Sequence, residues 1–211
     1  MSINSWSTIT LNNYEDKVKD CQKHGPLRLK LALHLSSILN NSALVWFLDT
    51  GTLMGAYRDG KMLKHDDDFD IGIYTTQKKF DDLFNFIEQH LDPKYKIRRI
   101  KTYTVKYEVY DSSYGYYMFG ENDQYDYHNV TIDLQLYLPK ENGEVVTTYM
   151  KDNYNKFVNF TEEMIVPTKI IIYEGHNFNC PNNSKKYLEE HYGYIGPNAI
   201  YNQETKKYQP K

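Results

Sequence analysis

The stretch "HDDDFDIGIY", His65 to Tyr74, constrains the fold more than any other part of the chain, because it runs four aspartates directly into an apolar strand pattern. Ile71, Ile73 and Tyr74 read as a buried strand. Asp66, Asp67, Asp68 and Asp70 stand where such a strand ordinarily carries no charge. Side chains alternate along a strand, so Asp66, Asp68 and Asp70 point one way and Asp67, Phe69 and Ile71 the other. Two carboxylates ~5 Å apart at an effective dielectric of ~20 repel by about 3 kcal/mol, which is tolerable only with full solvation or a shared cation. An isolated acidic run is more often a solvated turn. Here the run opens an apolar strand, and a further acid, Asp133, stands on "TIDLQL" between apolar neighbours, where it needs a partner. The pattern predicts that the two strands lie side by side and that Asp133 shares a divalent cation with Asp68 and Asp70.

The upstream "LDTGT" fits the same chemistry. It ends an apolar strand, "ALVWFLD", and opens a short helix just after Gly51. A glycine there lets backbone N–H groups approach an anion at the positive end of the helix. Gly51 and Thr52 are therefore candidate phosphate-binding residues. Arg58 pairs either with phosphate or with one of the aspartates.

Elsewhere the chain reads as interleaved helices and strands. "PLRLKLALHLSSILNN" predicts an amphipathic helix from Pro26 to Asn41 with proline in its first turn. "TTQKKFDDLFNFIEQHL" predicts a helix capped by Thr75 or Thr76, with Phe80, Leu83, Phe84 and Ile87 inside. "KYKIRRIKTYTVKYEVYD" alternates as one or two strands, and "NVTIDLQLYLP" sets Ile132, Leu134 and Leu136 against Asp133, Gln135 and Tyr137. The pattern between Tyr149 and Thr161 is loop-like. "IVPTKIIIYEGHNFNCP" predicts a hairpin, and "NNSKKYLEEHYG" a helix capped by Asn183 or Ser184 and stopped at Gly193. Together these predict one α/β (α+β) domain over 1–211, with its core at about 26–193 and a C-terminal hairpin–helix segment at 163–193.

Composition narrows the function. A net charge of −3 over 211 residues argues against a general nucleic-acid binder. No apolar run reaches the length of a membrane span, and the N-terminus has no basic-then-apolar signal pattern, so a cytoplasmic location is expected. Cys21 and Cys180 fit neither a zinc motif nor a disulfide framework. The glycosylation patterns at Asn40, Asn129, Asn159 and Asn182 are at chance level in so Asn-rich a chain.

At "GTLMGAYRDGKMLKHDDDFD" the chain resembles the LicD family of the nucleotidyltransferase superfamily, which includes fukutin and fukutin-related protein. The family signature is a strand, G-T-L-L-G-A-x-R, a short loop, and W-D-D-D before an apolar residue and a further Asp. "VTIDLQLYLP" is similar to the family's third-carboxylate strand, and "IIIYEGHNFNCPNNSKKYLEEHYG" to its closing hairpin and helix. His65 replaces the usual tryptophan, Thr50 stands where many members have glycine, and "DGKMLK" lacks the usual aromatic–proline pair.

The resemblance implies a nucleotidyltransferase-like fold, a central mixed sheet flanked by helices. It further implies a transferase that moves phosphocholine or a polyol phosphate from a CDP-activated donor to a hydroxyl of a sugar, glycan or polyol. Asp68, Asp70 and Asp133 would be the catalytic residues, with Asp66 beside them on the metal and Asp133 a possible base for the attacking hydroxyl. An all-carboxylate set favours Mg2+, with Mn2+ as a substitute. The Tyr-rich segment "YDSSYGYYMFGENDQYDYH" is either an acceptor-stacking surface or a strand pair. Lys61, Lys64, Arg98 and Arg99 are possible phosphate contacts. Two rival readings stand beside this one: a nucleotidyltransferase that attacks the α-phosphate of an NTP and releases pyrophosphate, and a non-catalytic module that binds a glycan or another partner.

Overall fold

Alternation of side chains divides the central strands into two chemically different faces, and that division decides where the site lies. The computed structural model describes residues 11–100, 106–119, 124–147, 158–202, 204, 205 and 207–211. In chain order the first elements are α1 (Leu11–Asn40), β1 (Val45–Leu48), α2 (Thr50–Asp59), β2 (Asp70–Tyr74) and α3 (Gln77–His90). Next come β3 (Tyr95–Arg99), β4 (Lys106–Asp111), the hairpin strands β5 (Gly115–Phe119) and β6 (Gln124–His128), and β7 (Thr131–Pro139). Two short strands, β8 (Glu144–Val146) and β9 (Phe160–Thr161), precede the one-turn α4 (Glu162–Ile165). The last elements are β10 (Lys169–Tyr173), β11 (His176–Cys180), α5 (Ser184–Tyr192), β12 (Ala199–Asn202) and β13 (Lys207–Pro210).

The main sheet runs β1-β2-β7-β4-β3, with β8 beside β7 and β9 beside β8. β2 and β7 are parallel, while β1–β2, β3–β4 and β4–β7 are antiparallel. The result is the expected mixed sheet flanked by helices. On one face, Ile132, Leu134 and Leu136 of β7 join Ile71 and Ile73 of β2 and Val109 of β4 in the buried core. α3 covers this face: Phe80 stacks on Tyr107 with ring centroids 4.4 Å apart. Leu31, Leu35 and Leu39 recur every fourth residue on α1 and are fully buried. The opposite face carries Asp133, Gln135 and Tyr137 on β7, Asp70 and Gly72 on β2, and Lys106 and Glu108 on β4. α5 packs on this face, with Tyr187 stacked on Phe160 at 4.5 Å.

Several boundaries differ from expectation. The helix expected to begin at Pro26 begins at Leu11 and carries Pro26 inside it. An internal proline loses one backbone hydrogen bond and crowds the turn before it. Gly25 precedes it and has no Cβ to meet the ring. Contacts on both sides then hold the helix through the proline: Cys21 Sγ reaches the Leu63 carbonyl at 3.4 Å, and Arg28 Nη1 donates to the Asp66 carbonyl at 3.4 Å. α2 starts at Thr50, one residue before Gly51, because Asp49 caps it.

β2 starts at Asp70, so Asp66 lies not on the strand but at a turn closed by its own N–H to the Leu63 carbonyl at 3.0 Å. Thr76 caps α3 and Asn183 caps α5, as expected. The β12–β13 hairpin beyond Gly193 was not expected; the Tyr194 N–H donates to the Tyr208 carbonyl at 2.8 Å. Of the loop expected between Tyr149 and Thr161, residues 149–157 lie outside the described residues. The Tyr-rich segment forms the β5–β6 hairpin, and the tyrosines expected to meet a sugar at 115–127 lie outside the described side chains.

Gly72 shows how closely the polar face is packed. A Cβ there would lie 2.5 Å from Phe47 Cε2 and Cζ and 3.0 Å from Tyr137 Cε2. Phe47 and Tyr137 are both completely buried, with little room to yield. Gly72→Ala is expected to destabilise the protein by about 1–3 kcal/mol, the usual cost of overpacking, read as a lower urea midpoint at unchanged m-value. An unchanged midpoint would show that the strands part freely here.

Candidate active site

The parallel pairing of β2 and β7 places Asp70 directly opposite Asp133. The Asp133 N–H donates to the Phe69 carbonyl at 2.8 Å, which extends the pairing back toward Asp68. One carboxylate oxygen each from Asp68, Asp70 and Asp133 can be chosen so that all lie within 4.8 Å of one another. Asp70 and Asp133 are buried and Asp68 is partly exposed, which leaves the group open on one side. Asp133 Oδ1 and Gln135 Oε1 are buried without a hydrogen-bond partner. Leaving such acceptors unsatisfied costs about 1–3 kcal/mol each. A cation shared by the three carboxylates satisfies the Asp133 oxygen, and an all-oxygen set suits a hard divalent ion.

Neighbouring groups fix where these carboxylates point. Thr50 Oγ1 donates a short hydrogen bond to Asp70 Oδ2, and Gln135 Nε2 donates to Asp70 Oδ1 at 3.4 Å. Thr52 Oγ1 accepts the Asp70 N–H at 3.0 Å. Lys106, on β4, forms an ion pair with Asp133 Oδ2. Thr50 also has a backbone φ of 42°, a strained value for a β-branched residue. Its N–H donates to Asp49 Oδ1 at 2.7 Å.

Asp49 itself is fully buried. It accepts a hydrogen bond from Tyr137 at 2.6 Å and another from Tyr187. Two tyrosines from β7 and α5 thereby fix the N-terminus of α2 beside the acids. Lys106, Gln135, Asp49 and Tyr187 were not among the expected site residues. Their roles depend on strand register and on distant helices, which local spacing does not encode.

The remaining expected residues fall in different places. Asp66 is not one of the three converging carboxylates. It lies beside Asp68 and against Gly51, whose absent Cβ would stand 3.1 Å from Asp66 Oδ1. The Asp66 Oδ2 atom is buried without a hydrogen-bond partner. Thr52 is completely buried, so its side chain locks α2 to β2 and faces no ligand. By helix geometry the N–H groups of Gly51 and Thr52 have no partner within α2, and they remain the donors that this turn offers.

Arg58 is exposed in the last turn of α2, about 12 Å along the axis from Thr50. Lys61, Lys64 and His65 are exposed. Arg98 is paired with Glu108. Arg99 turns to the α3 face, with its guanidinium 5.5 Å from the Phe84 ring.

Crowding raises the proton affinity of the cluster. Burial, followed by Asp133 and Asp67, pushes the Asp68 carboxyl up to about 6, while Lys106 and Asp66 pull it back. Burial with Asp68 and Asp133 raises Asp70 well above the ordinary carboxylate range. Burial and the adjacent Asp68 do the same to Asp66, with Arg28 opposing. A carboxyl that binds its proton more tightly when folded stabilises the fold at low pH and loses that contribution as pH rises through its folded value.

The metal-free protein is therefore expected to lose stability as pH rises through about 6. Mg2+ or Mn2+, binding the ionised form, should raise the melting temperature more at about pH 7.5 than at about pH 5. Thermal denaturation by circular dichroism tests this, and equal shifts at both values would show that these carboxyls do not take the ion.

No helix among the described residues is long and apolar enough to cross a membrane. No curated protein matches the chain. The profile of the LicD/FKTN/FKRP nucleotidyltransferase domain matches residues 43–183, from the turn before β1 to the cap of α5, and so spans β2, β7 and every carboxylate described above. With two-thirds of its length under that profile, the chain belongs to the LicD/FKTN/FKRP family of nucleotidyltransferase domains.

Proposed function

We propose that the protein is a divalent-metal-dependent transferase that moves phosphocholine or a polyol phosphate from a CDP-activated donor to a hydroxyl of a sugar, glycan or polyol. The observation that carries this reading is the convergence of Asp68, Asp70 and Asp133 with a buried, unpartnered oxygen on Asp133. The donor set favours Mg2+, with Mn2+ able to replace it, held by those three residues with Asp66 alongside. When bound, such an ion neutralises the diphosphate and the departing CMP. The N-terminus of α2 adjoins these acids through the Thr50–Asp70 hydrogen bond, and the N–H groups of Gly51 and Thr52 would be the donors for phosphate oxygen.

Asp133 has two distinct oxygens. Oδ2 is held by Lys106, and Oδ1 is without a partner. Oδ1 is the atom suited to accept the proton of the attacking hydroxyl when it is not itself a ligand. In the transfer, the acceptor oxygen forms a bond to the phosphorus that bears the headgroup. The bond from that phosphorus to the bridging oxygen breaks, and CMP leaves with the electron pair. Thr50 and Gln135 keep Asp70 from turning away throughout.

Incubation with CDP-choline, CDP-ribitol or CDP-glycerol and Mg2+ should release CMP in the presence of a hydroxyl acceptor. Asp68→Asn, Asp70→Asn and Asp133→Asn should each lower that rate by more than about 100-fold, the scale of losing one preorganised electrostatic partner, with the circular dichroism spectrum unchanged. Pyrophosphate release from an NTP, with no CMP from any CDP donor, would select the nucleotidyl-transfer reading instead. Wild-type protein that binds neither Mg2+ nor nucleotide would select a non-catalytic module.

A further inference from the structure

The two chain segments that lead into the site meet on one buried side chain. Asp66 stands four residues before Asp70, and Asn129 four residues before Asp133. Because Asp70 and Asp133 are paired in parallel, these are corresponding points on the two approaches to the acids. Arg28 of α1 joins them: its Nε donates to the Asn129 carbonyl at 2.8 Å and its Nη1 to the Asp66 carbonyl at 3.4 Å. Its Nη2 forms an ion pair with Asp20. Asp20 Oδ1 also accepts from Asn129 Nδ2 at 3.1 Å and meets His24 Nδ1 at 2.7 Å. Asp20 thus supplies the countercharge, while the rest of the fork holds the two carbonyls.

We infer that Arg28 is a positioning residue for the metal site: a buried clamp on the two strand approaches that sets where Asp68 stands relative to Asp133. This rests on the metal-binding reading above. The β2–β7 ladder does not reach far enough to do the same. Its register begins at Asp70 and Asp133, and the bond from the Asp133 N–H to the Phe69 carbonyl extends it by one residue. Asp68 lies just ahead of that bond, and Asp66 two residues further back, where Arg28 takes hold. α1 ends at Asn40, outside the residues 43–183 matched to the family domain, so the clamp comes from a helix that the family profile does not cover.

The cost of this clamp argues for a specific use. Arg28 is only 1% exposed, and taking a guanidinium out of water is expensive unless its donors are satisfied. An apolar side chain would brace α1 against the loop at less cost. A planar fork holds two carbonyls and a carboxylate in fixed directions at once, which lysine's ammonium, a point charge on a flexible stem, does not.

The test is a Mn2+ titration followed by electron paramagnetic resonance, at a temperature where circular dichroism shows each variant folded. Arg28→Lys should bind Mn2+ at least about tenfold more weakly than wild type, the range for losing a group that orients a ligand. Asp68→Asn should weaken wild type at least as much, yet add little in the Arg28→Lys background, because both changes disable the same ligand. A merely structural Arg28 lowers the melting temperature but leaves the Mn2+ affinity of folded protein unchanged, or makes the two losses additive. Either result would overturn the inference. Hydrogen exchange on the wild type decides the case if Arg28→Lys does not fold. On adding Mg2+, exchange at the Asp66 amide, bonded to the Leu63 carbonyl, should slow no more than at the Ile71 and Ile73 amides of β2. Extra slowing at Asp66 of more than about tenfold would show that the ion, not Arg28, orders this approach, and would equally overturn it. Wild-type protein that binds no Mn2+ would remove the metal reading itself, and this inference with it.

Discussion

The parallel pairing of β2 with β7 is the constraint on which the site depends. It places Asp70 beside Asp133 in the middle of a sheet, where two carboxylates repel and neither has bulk water to solvate it. A sheet tolerates that arrangement only if other groups offset the repulsion. Thr50 and Gln135 supply hydrogen bonds to Asp70, and Lys106 supplies a charge to Asp133. These offset only part of the repulsion, and the raised proton affinities of Asp68 and Asp70 are what remains. The same unrelieved charge is what draws a cation in.

The surrounding structure serves to keep that pairing rigid. Strand alternation sends the apolar residues of β2, β4 and β7 toward α1 and α3, so the polar face has only its own contacts to order it. Those contacts are long-range. Tyr187 comes from α5 and Tyr137 from β7, and both converge on Asp49 at the start of α2. Arg28, from α1, reaches both the Asp66 carbonyl and the Asn129 carbonyl, the latter at 2.8 Å. Thr50 accepts an unusual backbone conformation at the point where α2 meets Asp70, and its hydroxyl and N–H bonds hold it there. Concentration of strain and buried polar contacts at one end of one helix is typical of a site that must be preorganised.

Much of this was legible in the sequence, and the limits have physical causes. β2 and β7 could be read because alternation is a local property: Ile132, Leu134 and Leu136 repeat at a spacing of two, and Asp133 stands out as a charge between apolar neighbours. The caps at Thr76 and Asn183 were legible for the same reason, since a cap acts within three residues. Pro26 misled, because its effect on α1 is overridden by contacts from Cys21 and Arg28 to a loop 42 and 38 residues further on. Asp66 read as a strand residue because its spacing from Asp68 and Asp70 is right, yet a turn closes at Leu63 and takes it off the strand. Lys106 could not be singled out, since its importance comes from lying across from Gln135, a register set by the whole sheet.

The central claim is that Asp68, Asp70 and Asp133 act as one ligand set, and anomalous scattering from a crystal grown with Mn2+ tests it most directly. The account predicts an anomalous peak at ~2.0–2.6 Å, the range of hard-cation ligand bonds, from an oxygen of all three residues at once. No peak there, or Mn2+ bound only to exposed surface acids, would contradict it.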